Sequence, residues 1–144
     1  MKRTWTIIAL LVAALAAGCS AKKGFEKPGF SFGCPIGDAK VSSMEDLVKL
    51  KVVHEGKRTT IEPTEMRCTM TGDLQKIDVV LNNDSSQVKR INYKFRWIDG
   101  EGMRAWDEEV WKPLLMYENS NVTISAVAPT NKAADFRLVL LSQE

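Results

Sequence analysis

The chain has 144 residues, with 20 Lys+Arg, 18 Asp+Glu and a single histidine. That length suffices for one domain with its own core. The near-balance of charge gives no electrostatic case for nucleic acid or an anionic membrane surface. Cys34, Cys68 and the single histidine, His54, do not make a four-ligand zinc site at any usual spacing.

The first elements in chain order are those of a secretory signal. Met1-Lys2-Arg3 is basic, Ile7 to Ala17 is apolar, and the run ends in Leu15-Ala16-Ala17-Gly18-Cys19-Ser20. The uncharged stretch from 4 to 18 is short of the roughly 20 apolar residues of a spanning helix. Small residues before a cysteine resemble the lipobox of bacterial lipoproteins, with Ala16 where leucine is usual and Leu15 one step earlier. The resemblance implies a signal peptide over 1–18 and a lipid on Cys19. Each buried methylene of such chains adds about 0.8 kcal/mol, so two or more hold a protein firmly. Ser20 stands where an aspartate would signal inner-membrane retention, which resembles the outer-membrane pattern. The expected address is the cell envelope, on the outer membrane facing the periplasm. Without Lys2 and Arg3 the charges balance at 18 against 18.

Residues 19–41 read as a tether, with Lys22, Lys23, Gly24, Pro28, Gly29 and Gly33 and no sustained periodicity. As a flexible coil its span is about 20 Å. Phe25, Phe30 and Phe32 are expected to tuck against the domain. With Cys19 taken by lipid, an oxidising periplasm favours a Cys34–Cys68 disulfide. The alternative is two unpaired thiols.

The domain proper is expected over 42–144. Ser43-Met44-Glu45-Asp46 reads as a capped helix start, and a single turn leads into a strand ending near Val53. Lys57 to Thr64, with Pro63, reads as a loop or an edge. Strands are predicted over 66–70, 74–82, 88–98, 110–117, 121–128 and 136–142. Thr71-Gly72-Asp73, Asn83 to Ser86 and Asp99 to Gly102 supply turns. The clearest strand places Ile91, Tyr93, Phe95 and Trp97 on one face and Asn92, Lys94 and Arg96 on the other. That is period-two alternation with one buried side. About seven short strands without a long helix predict an all-β sandwich.

Three series carry a family resemblance. They are Val79 to Asn83; Ile91 to Met103 with Trp111-Lys112-Pro113-Leu114; and Ala126 to Pro129 with Ala134 to Leu138. In this order they resemble the YcfL-like family of small bacterial envelope lipoproteins, over roughly 65–142. The resemblance implies an immunoglobulin-like sandwich and no catalytic residues.

Candidate chemistry is sparse. Tyr93, Phe95 and Trp97 read as core, and Trp97 and Trp111 are expected between the sheets. Trp106 follows a glycine-rich turn and precedes Asp107-Glu108-Glu109; an exposed protein contact is one reading, and partial burial over the sandwich edge is the other. The three carboxylates read as solvated charge, without the alternating ligands of a calcium loop. His54 has no nucleophile or acid tied to it by a motif. Asp135 and Arg137 share a strand face as a structural ion pair. No cofactor or metal is expected. The sequence therefore points to a non-catalytic envelope module that binds a protein partner. Its candidate surface is Asp99, Glu101, Trp106, Asp107 and Glu108 with Lys132 from the 129–132 loop. The alternative is a small-molecule or glycan-binding module.

Overall fold

The structure, a computed structural model, describes residues 29–143. The predicted signal peptide, Cys19 and Phe25 lie outside the described residues. A small hairpin of β1 (Phe30–Ser31) and β2 (Cys34–Pro35) comes first. The helix α1 (Met44–Lys51) then leads into β3 (Val52–Glu55). Six further strands follow: β4 (Glu62–Thr71), β5 (Leu74–Asn83), β6 (Lys89–Ile98), β7 (Lys112–Met116), β8 (Ser120–Val127) and β9 (Asp135–Ser142).

The helix starts where its cap dictates. Ser43 is extended and its hydroxyl accepts from the Asp46 backbone N–H at 3.1 Å. Asp46 in turn accepts from the Ser42 backbone and hydroxyl. Those hydrogen bonds, the Ser42 backbone one foremost, hold its carboxyl below the ordinary 3.8. The helix runs eight residues, longer than the single turn expected, and buries Leu47 and Lys51.

Seven strands build two sheets, in the orders β3-β9-β6-β7 and β4-β5-β8. All seven predicted strands are present, though β4 and β5 each extend to ten residues and β6 is one residue shorter than expected. The predicted edge at Pro63 is the start of β4, and the register slips between Pro63 and Glu65. β3 runs parallel to β9, while every other pairing is antiparallel. The architecture is an immunoglobulin-like sandwich.

One core lies between the sheets. Met66, Ile77, Val79, Leu81 and Ile124 face it from one side. Ile91, Phe95, Trp97, Met116, Phe136, Leu138 and Leu140 face it from the other. Phe95 stacks on Trp97 at 6.1 Å between centroids and meets the Tyr93 edge at 6.2 Å. Period-two alternation has its physical result here, because a pleated strand sends alternate side chains to opposite faces.

Three expectations need correction. First, residues 30–41 are not tether. Cys34 and Cys68 are bonded with Cα atoms 4.7 Å apart, and the Cys68 N–H donates to the Phe32 carbonyl. The hairpin is thus stitched to β4. Gly33 makes this approach possible: its φ is +77°, and a Cβ there would sit 2.1 Å from the Cys68 oxygen. Second, Phe30 and Phe32 do not tuck. Ser31 and Cys34 take the inward positions, leaving the two rings 43% and 42% exposed. Third, Trp111 is not between the sheets; it packs under the Lys94 ammonium, 4.4 Å from its ring centroid.

Candidate functional site

The two loops of the candidate surface meet at one end of the sandwich. The Ala134 N–H donates to the Ile98 carbonyl at 2.8 Å, joining the end of β6 to the segment before β9. The β4–β5 turn joins them there, since the Asn131 amide donates to Asp73. The pairing of β6 with β9 sets this arrangement, because Ile98 lies opposite Asp135.

Asp99 shapes its own loop. Its carboxylate accepts from the N–H groups of Glu101 at 3.0 Å and Met103 at 2.9 Å. Gly102 turns the chain at φ +84°. Arg104 then bridges back to Ile98, and the Ala105 N–H donates to the Trp97 carbonyl. The loop therefore doubles back along β6. Glu101, Asp107, Glu108 and Lys132 are exposed on it or beside it, whereas Asp99 is half-buried.

Trp106 is 42% exposed at the mouth of a cleft of about 230 Å³. Phe95, Trp97, Val110 and Pro129 give this cleft an apolar floor, with Lys94, Lys112 and Glu108 among its polar groups. The cleft opens between β6, the start of β7 and the end of β8. A second depression, about 630 Å³, is lined by polar residues including Thr59, Thr60, Asn82 and Asp84. It has no aromatic side chain in its lining, and its Arg58 and Glu62 pair with each other.

Glu109 is not solvated charge. Its side chain is 6% exposed and holds Arg96 at 2.9 Å, Lys94 at 3.0 Å and Arg104 at 3.7 Å. Burial pushes its carboxyl up, but hydrogen bonds and charge from Arg96 and Lys94 outweigh that and hold it below 4.5. Glu55 reaches Arg96 from β3. Lys94 is consequently only 12% exposed on the face expected to be open to solvent. No local pattern in the sequence links Lys94 and Arg96 to Glu109, which lies thirteen residues beyond Arg96. The link exists because the loop folds over its own strand.

The remaining candidates are His54 and the Asp135–Arg137 pair, which begins β9 at this same end. His54 sits on β3 opposite Leu140, with its Nδ1 buried and unpartnered. Burial, then the nearby Arg58 charge, pushes it below 6.5, so it is neutral at neutral pH. Asp135 and Arg137 pair at 2.7 Å as expected. Among the described residues no group of three or more His, Cys, Asp or Glu could hold a metal ion. No helix among them is long and apolar enough to cross a membrane.

Two solved structures share this fold. One is cj0090 of Campylobacter jejuni, with 21% identity and a TM-score of 0.56 over 65% of this chain and 98% of that one. The other is a DUF1425 family member from Shewanella sp. pv-4, with 21% identity and a TM-score of 0.52 over 56% of this chain and 75% of that one. No curated protein matches the chain. A family model described as "Protein of unknown function (DUF1425)" matches residues 44–142, from the start of α1 to the end of β9, and the chain belongs to that family.

Proposed function

We propose that this protein is a non-catalytic envelope lipoprotein of YcfL-like type, held by lipid on Cys19 at the periplasmic side of the outer membrane. Its domain binds a protein partner through the loop end. The observation that carries this reading is Trp106, large and apolar yet 42% exposed, next in sequence to Asp107 and Glu108 and sharing its cleft with Glu108, Lys94 and Lys112. An aromatic anchor inside a charged rim is the usual anatomy of a protein contact. The loop under it is held rigidly by Glu109, so little ordering cost accompanies binding.

The cleft beneath Trp106 is about 230 Å³. Small-molecule pockets run about 300–1,000 Å³, which favours a protein surface over a buried ligand. A small-molecule or glycan-binding reading draws support from the second depression, whose size of about 630 Å³ suits it. That depression has no ring on which a sugar would stack.

The test is affinity capture from solubilised envelopes with the tagged full-length protein and its Trp106→Ala variant. Loss of a specific partner in the variant, with an unchanged melting temperature, is the expected result. Equal capture by both proteins removes the loop end as the binding surface.

A further inference from the structure

Sheet edges carry unpaired backbone groups and are normally guarded by charge, proline, bulges or short length. The two sheets of the sandwich have four edge strands, β3, β7, β4 and β8. Three are guarded. β3 is four residues long and ends in His54-Glu55. β7 is five residues long and begins Lys112-Pro113. β4 carries Glu62, Pro63, Glu65 and Arg67, has a register slip, and is bonded to the β1–β2 hairpin through Phe32 and Cys68.

β8 has none of these devices. Its eight residues, Ser-Asn-Val-Thr-Ile-Ser-Ala-Val, include no charge, proline or glycine. It pairs with β5 on one side and with no strand on the other. Five of the eleven exposed large apolar side chains, Trp106, Val110, Leu115, Tyr117 and Val127, belong to β7, β8 or the segments flanking them. The apolar surface left open thus gathers on the side where the backbone is also unpaired.

We propose that the β8 edge pairs with the β8 edge of a second copy of this chain, antiparallel across a two-fold axis. The sequence of β8 suits itself as a partner. It places no like charges opposite each other, which most charged strands would do in self-pairing. Side-chain direction also restricts the register. Val122, Ile124 and Ala126 face inward and Asn121, Thr123 and Ser125 outward. For the inner faces to remain continuous, paired residue numbers must sum to an even value, because a one-residue slip inverts every side chain. That leaves Thr123 opposite Thr123, or Ile124 opposite Ile124, at the centre. Either pairing joins two three-stranded sheets into one of six strands.

A second copy also has an advantage over a free peptide. Its strand is already ordered by β5, so pairing avoids the entropy of straightening a flexible segment. Because the other three edges are guarded, pairing closes at two copies instead of growing into a fibre. This surface adjoins the loop end, since Ala126 and Val127 line the Trp106 cleft, but its test reads the oligomeric state and not partner capture, so failure of one proposal is distinguishable from failure of the other.

The test uses the full-length protein in mild detergent. Sedimentation should show two copies for the native chain and half that protein mass for Thr123→Lys, whose side chain is exposed on β8. The Thr123→Lys protein should keep its β-sheet circular dichroism. A second measurement covers misfolding of that variant. Thr123→Cys should give a dimer cross-linked by a short bismaleimide, because the two positions are about 4.5–5.5 Å apart in the Thr123-centred register and about 7–8 Å apart in the Ile124-centred one. Thr64→Cys, on the far edge at β4, should give none. A native chain that stays single up to about 100 μM overturns the proposal. So does a two-copy Thr123→Lys protein, or cross-linking at Thr64 and not at Thr123.

Discussion

Lys51 ends α1 with its side chain entirely out of solvent, and its ammonium hydrogen-bonds to Asp135 at the start of β9. The Phe136 ring lies 5.3 Å from the same nitrogen. The two partners are unequal. Asp135 also accepts from the Arg137 guanidinium and the Phe136 N–H, both at 2.7 Å, and is 27% exposed. Lys51 relies on Asp135.

Asp135→Ala should therefore cost about 3–5 kcal/mol, because it leaves a buried charge uncompensated. Lys51→Met should cost about 1 kcal/mol or less, since Asp135 keeps Arg137 and the apolar stem is replaced in kind. Burial is the main cause holding the Lys51 ammonium below its ordinary 10.5. The folded state then binds fewer protons than the unfolded state in the window just below 10.5. Stability conferred by this site should rise with pH through that window. Urea melts of the native chain and Lys51→Met at pH 7 to 10.5 measure it: the native chain should gain on the variant as pH rises.

Glu109 gives the same sign in an acidic window. Its carboxyl is held below 4.5, so its contribution is fully present above that value and disappears as pH falls through the lower folded value. Glu109→Gln should lower stability by about 1.5–3 kcal/mol at pH 7, the worth of hydrogen bonds to a charged group. The gap to the native chain should narrow on acidification. Glu108→Gln, on an exposed neighbour, should change stability by less than about 0.5 kcal/mol. Thermal melts of both variants at pH 7 and pH 3 distinguish a structural Glu109 from a solvated one.

The Cys34–Cys68 bond closes a loop of 34 residues. In the chain-entropy model such a closure contributes about 3–4 kcal/mol. Reduction should lower the melting temperature by several degrees and free the 30–35 hairpin from β4. Thiol titration before reduction should find none free at these two positions, and melting with and without reductant checks the rest.

Phe95 is 8% exposed and touches Tyr93, Trp97 and Phe136. Phe95→Ala should open a cavity and cost about 3–5 kcal/mol. Lys94→Ala on the other face should cost more than an ordinary surface substitution. Lys94 gives up an ion pair to Glu109 and its place over Trp111. Urea melts that show Phe95→Ala as stable as the native chain would place the aromatic stripe outside the core.

Cys19→Ser should abolish incorporation of a clickable fatty acid if the Leu15 to Ser20 segment acts as a lipobox. Metabolic labelling followed by gel fluorescence is the measurement. Equal label on both proteins would remove the lipid anchor from the proposed function.

The strands were legible because their cause is local. Ile77, Val79 and Leu81, and Ile91, Phe95 and Trp97, alternate at the period of a pleated strand, and that period alone sets which face is buried. The Ser43 cap was legible for the same reason, since its bond spans three residues. Tertiary structure alone placed the 99–109 and 129–134 loops at one end, because β6 and β9 had first to pair. It also turned Glu109 from one of three adjacent acids into the anchor of Lys94 and Arg96, and took Lys51 out of solvent onto a carboxylate 84 residues away. Such pairs leave no periodic trace, because each charge looks like surface until another segment folds over it.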